Sequence, residues 1–175
     1  VEPVGVLPYA QGPRLQVEHV WANGRRAVAF VGSADRRVAG LVAERRRLAT
    51  QTLEGLSGSG FVADLDVDAD SADAVAAELV AARVDAVVAY NDDVAALVAG
   101  ALLRAGESIP EDVAIVGHDN SPLAALFHPA LSSVQVDTGE LGRYLALVAL
   151  GLIEGSAPVP LPPTTEATLI RRASS

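Results

Sequence analysis

The chain has 175 residues, half of them apolar but only 4% aromatic, with no Cys, no Met and a formal net charge of −9. That length holds one α/β domain or a part of a two-lobed protein, and the missing Cys excludes disulfides, thiolate metal sites and a cysteine nucleophile. The acidic balance is the wrong sign for a surface that must neutralise nucleic-acid phosphates, and no apolar run reaches the roughly 18 residues of a membrane span.

Strand and helix signals alternate along the chain. Residues 4–7 read as a strand and 16–22 as a helix, followed by the turn signal Asn23-Gly24. The β-branched run 27–31 (AVAFV) predicts a strand, 36–56 a long helix ended by Ser57-Gly58-Ser59-Gly60, and 61–67 a second strand. An Ala-rich helix is expected from Ser71 through Ala82, then a buried strand over 85–90 (DAVVAY) and a helix over 92–105 closed by Gly106. Pro110 stops that helix from continuing. Residues 113–116 (VAIV) read as the next strand, the stretch containing Pro122 and Pro129 as irregular, 132–136 as a strand and 138–154 as a helix. The Pro-rich 158–163 is an extended connection, and 167–171 a terminal strand. Repeated βα units with short connections call for a doubly wound parallel sheet with helices on both faces. The expected organisation is 1–13 as the remnant of, or crossover from, an N-terminal lobe, 14–157 as a C-terminal lobe, and 158–175 as crossover and terminal strand. Val at position 1 and the lack of Met predict a chain without its natural start.

In open parallel sheets ligands bind beyond the carboxyl ends of the strands, where loops and helix N-termini converge. Polar residues fall at those ends: Ser33 and Asp35, then Asn91, Asp92 and Asp93, then His118, Asp119 and Asn120. Asn donates and accepts while ionised Asp only accepts, so the set suits the hydroxyls or ring nitrogens of a small polar molecule. Each residue also has a structural alternative. Asn91 or Asp92 can cap the following helix, Asp119-Asn120 can form an Asx-turn, and Arg45-Arg46-Arg47 can be a solvated helix face. Enzyme signatures such as GxSxG, GxxxxGK[ST] and HExxH are missing, and His19, His118 and His128 lie far apart, so neither catalysis nor a metal site is expected.

The stretch 85–120, DAVVAYNDDVAALVAGALLRAGESIPEDVAIVGHDN, resembles the LacI/GalR transcription regulators in motif order and spacing, with His118 in place of an aromatic residue. The likeness continues through HPALSSV, the helix LGRYLALVALGLIEG and the ending LPPTTEATLIRRASS, and upstream through VEHVWANGRRAVAFVG. The resemblance implies a periplasmic-binding-protein-like type I lobe that senses an effector and dimerises within a cytoplasmic repressor. DNA would be reached only through a helix-turn-helix domain outside this chain, with no cofactor and no membrane.

The same resemblance assigns site residues. Asn91 and Asp119 contact a small effector such as a sugar or a nucleobase, and Arg47 completes the clamp, Arg37 being a competing match. His118 lines the pocket, Thr138 stands near its mouth, and Asp92 is left to cap its helix. A homodimer interface is implied on the helix and loop carrying Val94, Leu97, Val98, Ala101, Leu123 and Phe127, with packing inside the chain as the alternative for Phe127. A solute-binding protein of a transport system shares the fold and is the competing function.

Overall fold

A parallel sheet covered on both faces hides its central strands along their whole length, so they carry apolar runs rather than an alternation. Val28–Ser33 (β1) and Ala86–Ala89 (β3) do so: every residue is buried except the half-buried Ser33. These strands belong to a computed structural model that describes residues 11–136, 138–154 and 167–175. The remaining elements are α1 (Gln11–Ala22), α2 (Ala39–Ser57), β2 (Ala63–Val67), α3 (Ala72–Ala81), α4 (Asp92–Ala105), β4 (Ala114–His118), α5 (Pro122–Leu126), β5 (Ser132–Val136), α6 (Thr138–Glu154) and β6 (Ala167–Ile170). A 3-10 turn at Arg36–Val38 leads into α2.

The sheet order is β2-β1-β3-β4-β5-β6. The first five strands in that order pair in parallel, while β6 pairs antiparallel to β5. Because β1 has β2 on one side and β3 on the other, successive crossovers leave it in opposite directions and open a crevice beyond its carboxyl end. Helices α1 and α2 pack together on one face, and α3, α4 and α5 on the other. The core between the layers is Ala, Val and Leu around one fully buried aromatic, Phe30, against which Phe61 packs at 5.9 Å between ring centroids.

Local signals account for the helix ends. Gly58 and Gly106 close α2 and α4 in the left-handed conformation, at φ 72° and 96°, where a Cβ would be strained. Three expectations shift. α1 begins at Gln11, earlier than the helix expected from residue 16. The Pro122 stretch contains the five-residue α5, with Pro in its first turn where its missing N–H costs nothing. The terminal strand runs against its neighbour instead of extending the parallel sheet. The strand expected at 4–7 and the connection at 158–163 lie outside the described residues. α6 buries Tyr144 and leaves Leu145, Leu147, Leu150, Leu152 and Ile153 exposed.

Candidate functional site

The carboxyl ends of β1, β2 and β3 enclose a crevice of about 440 Å³ lined by Ser33, Asp35, Val67, Asp68, Tyr90, Asn91 and Asp93 among others. Asn91 is the N-cap of α4: its Oδ1 accepts from the Val94 N–H at 2.9 Å, and its Nδ2 has no protein partner among the described residues. Asp68 is held below the usual carboxylate range by hydrogen bonds from the Ser71 hydroxyl and N–H. Asp35 lies at about 2, through hydrogen bonds from the Arg37 side chain and N–H.

Asp119 stands one strand further on, at the end of β4. Its backbone is left-handed at φ 90°, as is that of Asn120 at φ 45°, a conformation that costs an L residue about 1–2 kcal/mol and that Asp and Asn tolerate better than most. Surrounding bonds hold it there. The Asp119 N–H donates to the Val134 carbonyl at 2.7 Å, and Asn120 receives the Arg172 guanidinium on Oδ1 at 2.6 Å while its N–H donates to the Ser133 hydroxyl at 3.0 Å. The Asp119 side chain does not close an Asx-turn; Oδ1 accepts from Arg45 Nη2 at 2.8 Å and from His118 Nδ1 at 2.6 Å. Burial opposes the charge, but the His118 hydrogen bond and the Arg45 guanidinium outweigh it and hold the carboxyl at about 2. Oδ2 has no such partner among the described residues, and the side chain is 46% exposed.

The arginine that the resemblance assigned to the effector clamp was Arg47, but in the structure it is Arg45 that lies against Asp119. Arg47 is exposed and pairs with Glu44 at 2.7 Å. Arg45 lies inward, donating through Nη1 to the Tyr90 carbonyl at 2.6 Å with its guanidinium 4.8 Å from the Tyr90 ring centre. The helix period explains the difference: α2 buries Val42, Arg45, Ala49 and Leu53, a single stripe that passes through 45, while 47 is about 200° further round. Arg37 pairs with Asp35 on the surface. Arg46 bridges Asp64 and Asp66 of the edge strand β2, at 2.7 and 2.5 Å.

Other expectations change in kind. Asp92 does not cap α4, since Asn91 does. It is buried, its Oδ1 accepting from the Ser133 hydroxyl and its Oδ2 from the Ser121 N–H, both at 2.6 Å, so it staples α4 to β5 and to the loop after β4. Burial raises its pKa against those hydrogen bonds. His118 is fully buried and so cannot line an open pocket. The side chain of Thr138 lies outside the described residues. Of the interface set, Val94, Val98 and Ala101 are core residues; their spacing is that of the stripe that faces the sheet. Leu97, Leu123 and Phe127 do reach the surface, where with Ala96, Gly100 and Arg104 they line a groove of about 530 Å³.

Sequence reasoning passed over Gln16. It is buried in α1, and its Nε2 lies 2.8–3.1 Å from the carbonyls of Ala89, Val116 and Gly117, joining the ends of β3 and β4. A long polar side chain on the buried side of a helix, beside Val17 and Val20, was the available signal.

The switch-point crevice, the clamped carboxylate beside it and the two helical layers define a periplasmic-binding-protein-like lobe. A family model described as "periplasmic binding protein-like domain" matches residues 17–175. The HTH-type transcriptional regulator CelR of Thermobifida fusca is 28% identical over 98% of this chain and 54% of its own length. A CelR–cellobiose complex superposes with a TM-score of 0.81 at 28% identity, over 97% of this chain and 53% of that one. A sugar-binding LacI-family regulator from Escherichia coli, complexed with phosphate, gives 0.79 at 26% identity, over 97% and 62%. The chain belongs to the periplasmic-binding-protein-like domain family, in the C-terminal form carried by LacI/GalR regulators. It spans about half the length of the relatives it matches from end to end. Among the described residues no helix is long and apolar enough to cross a membrane.

Proposed function

We propose that this chain is the effector-binding and dimerisation lobe of a transcription regulator, and that its strand-end face takes an uncharged, hydroxyl-rich small molecule such as a sugar. The observation that carries the proposal is the Asp119 carboxylate, fixed at Oδ1 by two donors with the side chain still 46% exposed. A hydroxyl that donates to Oδ2 meets an acceptor already oriented and ionised, which limits the ordering cost of binding. Asn91 Nδ2 and the Ser33 hydroxyl add a donor and a two-way group on neighbouring strand ends. The charges oppose a phosphorylated effector: Arg37 and Arg45 are each engaged by a carboxylate, and Asp68 and Asp93 at the crevice have no ion-pair partner among the described residues.

The surface groove over α4 and α5, flanked by Leu126 at 82% exposure, is a self-association face for a homodimer. DNA contact belongs to a helix-turn-helix region outside this chain, as the names of the relatives suggest, in a cytoplasmic protein without catalytic activity. The transporter alternative has no support in those names. A thermal-shift comparison of neutral sugars with their phosphate esters, on the full-length regulator, tests the proposal. Stabilisation by phosphate esters alone would contradict it.

A further inference from the structure

His118 is an ionisable group at the site that no effector can touch, since it is fully buried. Its Nδ1 lies 2.6 Å from Asp119 Oδ1. Two acceptors cannot share so short a contact, so Nδ1 carries the proton and donates it. The other ring nitrogen, Nε2, is then either an unprotonated lone pair or, in the imidazolium, a second N–H. It is buried with no partner among the described residues and faces α1 at Gly12, where a Cβ would overlap it. An imidazolium there would bury an unsatisfied N–H as well as a charge, so the neutral Nδ1–H form is the one this environment accepts.

We propose that His118 is a positioning residue for Asp119: held as the neutral Nδ1–H tautomer against Gly12, it fixes Oδ1 and so presents Oδ2 of the carboxylate to the effector face. Arg45 alone would leave the carboxylate free to pivot about one bond; the second donor, from the residue next to it in the chain, removes that freedom. Phe at this place would fill the volume without supplying the donor. Gly12 belongs to the same device, because any side chain there would push the ring off Asp119.

The consequence for binding rests on the reading of Asp119 as an effector ligand, whereas the positioning itself is tested on the free protein. NMR on the full 175-residue chain would read the imidazole nitrogen shifts of His118 and the carboxyl titration of Asp119 in the unsubstituted protein and in His118→Phe, His118→Asn and Gly12→Ala. The expected result is a neutral Nδ1–H imidazole at pH 7 in the unsubstituted chain. Asp119 should titrate nearer the ordinary aspartate range of about 3.9 in His118→Phe and Gly12→Ala, and return toward its original value in His118→Asn, whose amide can donate from the place of Nδ1. An Nε2–H or doubly protonated ring would overturn the proposal, and that measurement needs no variant. So would an Asp119 titration unmoved by His118→Phe, even with a lowered melting temperature, since that pattern belongs to packing alone. Normal positioning together with no sugar binding would instead count against the effector reading.

Discussion

Arg45 and Arg47 differ by two positions in one helix and by everything in their surroundings, and their substitutions should separate accordingly. Removing Arg45 strips a largely buried partner from Asp119 and a donor from the Tyr90 carbonyl. The cost should be about 1–3 kcal/mol, discounted from the 3–5 typical of broken buried pairs because Asp119 is half exposed. Arg47→Ala should stay within about 0.5 kcal/mol, since its pair with Glu44 is solvated. The neighbouring residues Asn91 and Asp92 should separate in the same way in denaturant melts: about 1 kcal/mol for the lost cap in Asn91→Ala, and about 2–4 for Asp92→Ala, which leaves the Ser133 hydroxyl and the Ser121 N–H without their acceptor. Acid should expose the Asp119 clamp. Burial lowers the pKa of His118 from 6.5, with the Arg45 charge adding to it against the Asp119 hydrogen bond, and Asp119 lies at about 2, below 3.8. Both folded-state values are depressed, so the unfolded chain binds more protons and stability falls on acidification. The His118 contribution is complete above 6.5 and is lost as pH falls through the depressed value; that of Asp119 is complete above 3.8 and is lost as pH falls through about 2. The melting temperature should therefore drop as the pH falls below about 6.5, less steeply in His118→Phe. Burial and the Arg171 charge also lower the pKa of His19, which keeps its own share of that slope. An unchanged slope in His118→Phe would contradict this assignment.

At the scale of elements, the parts most legible in the sequence were those fixed by chain-local signals. α4, β5 and α6 have the bounds their patterns predict, because caps, Gly106 and the switch from period 3.6 to period 2 are local. Side-chain direction was legible only where the helical stripe was followed residue by residue. The stripe through Val42, Ala49 and Leu53 picks Arg45, and the stripe through Val94, Val98 and Ala101 marks the sheet-facing side of α4. What the sequence could not disclose were bonds between distant segments. The ending Arg172-Ala173-Ser174 looks like a family signature, but its work is visible only in three dimensions. Ser174 Oγ donates to the Ile115 carbonyl at 2.6 Å and accepts from the Ser132 N–H at 2.9 Å, while Arg172 binds the Leu131 carbonyl and Asn120. These bonds brace the loop that carries Asp119. Arg172→Ala should accordingly weaken effector binding without touching the effector, a change that titration calorimetry on the full-length regulator would read; unchanged affinity would mean that the loop is held without it. Gln16 of α1 joins the ends of β3 and β4, and Gln16→Ala should cost about 1–3 kcal/mol by removing the donor it supplies to their carbonyls.

Among the described residues, apolar side chains are exposed at the groove over α4 and α5 and along α6. The groove at Leu97, Leu123 and Phe127 lies on the packed lobe, where a second copy would fill it; Leu97→Asp should shift sedimentation toward the monomer with little change in circular dichroism. Along α6, Leu145, Leu147, Leu150, Leu152 and Ile153 are exposed while Tyr144 is buried. The central claim is that the strand-end face binds an uncharged polyhydroxylated effector through Asp119. The most direct test is a thermal-shift titration of the full-length regulator and its Asp119→Asn variant with neutral sugars and their phosphate esters. Concentration-dependent stabilisation by a neutral sugar is expected, with affinity weakened roughly tenfold to a hundredfold in the variant, about 1.5–3 kcal/mol. Full retention of that stabilisation by Asp119→Asn, or a response to phosphate esters alone, would contradict it.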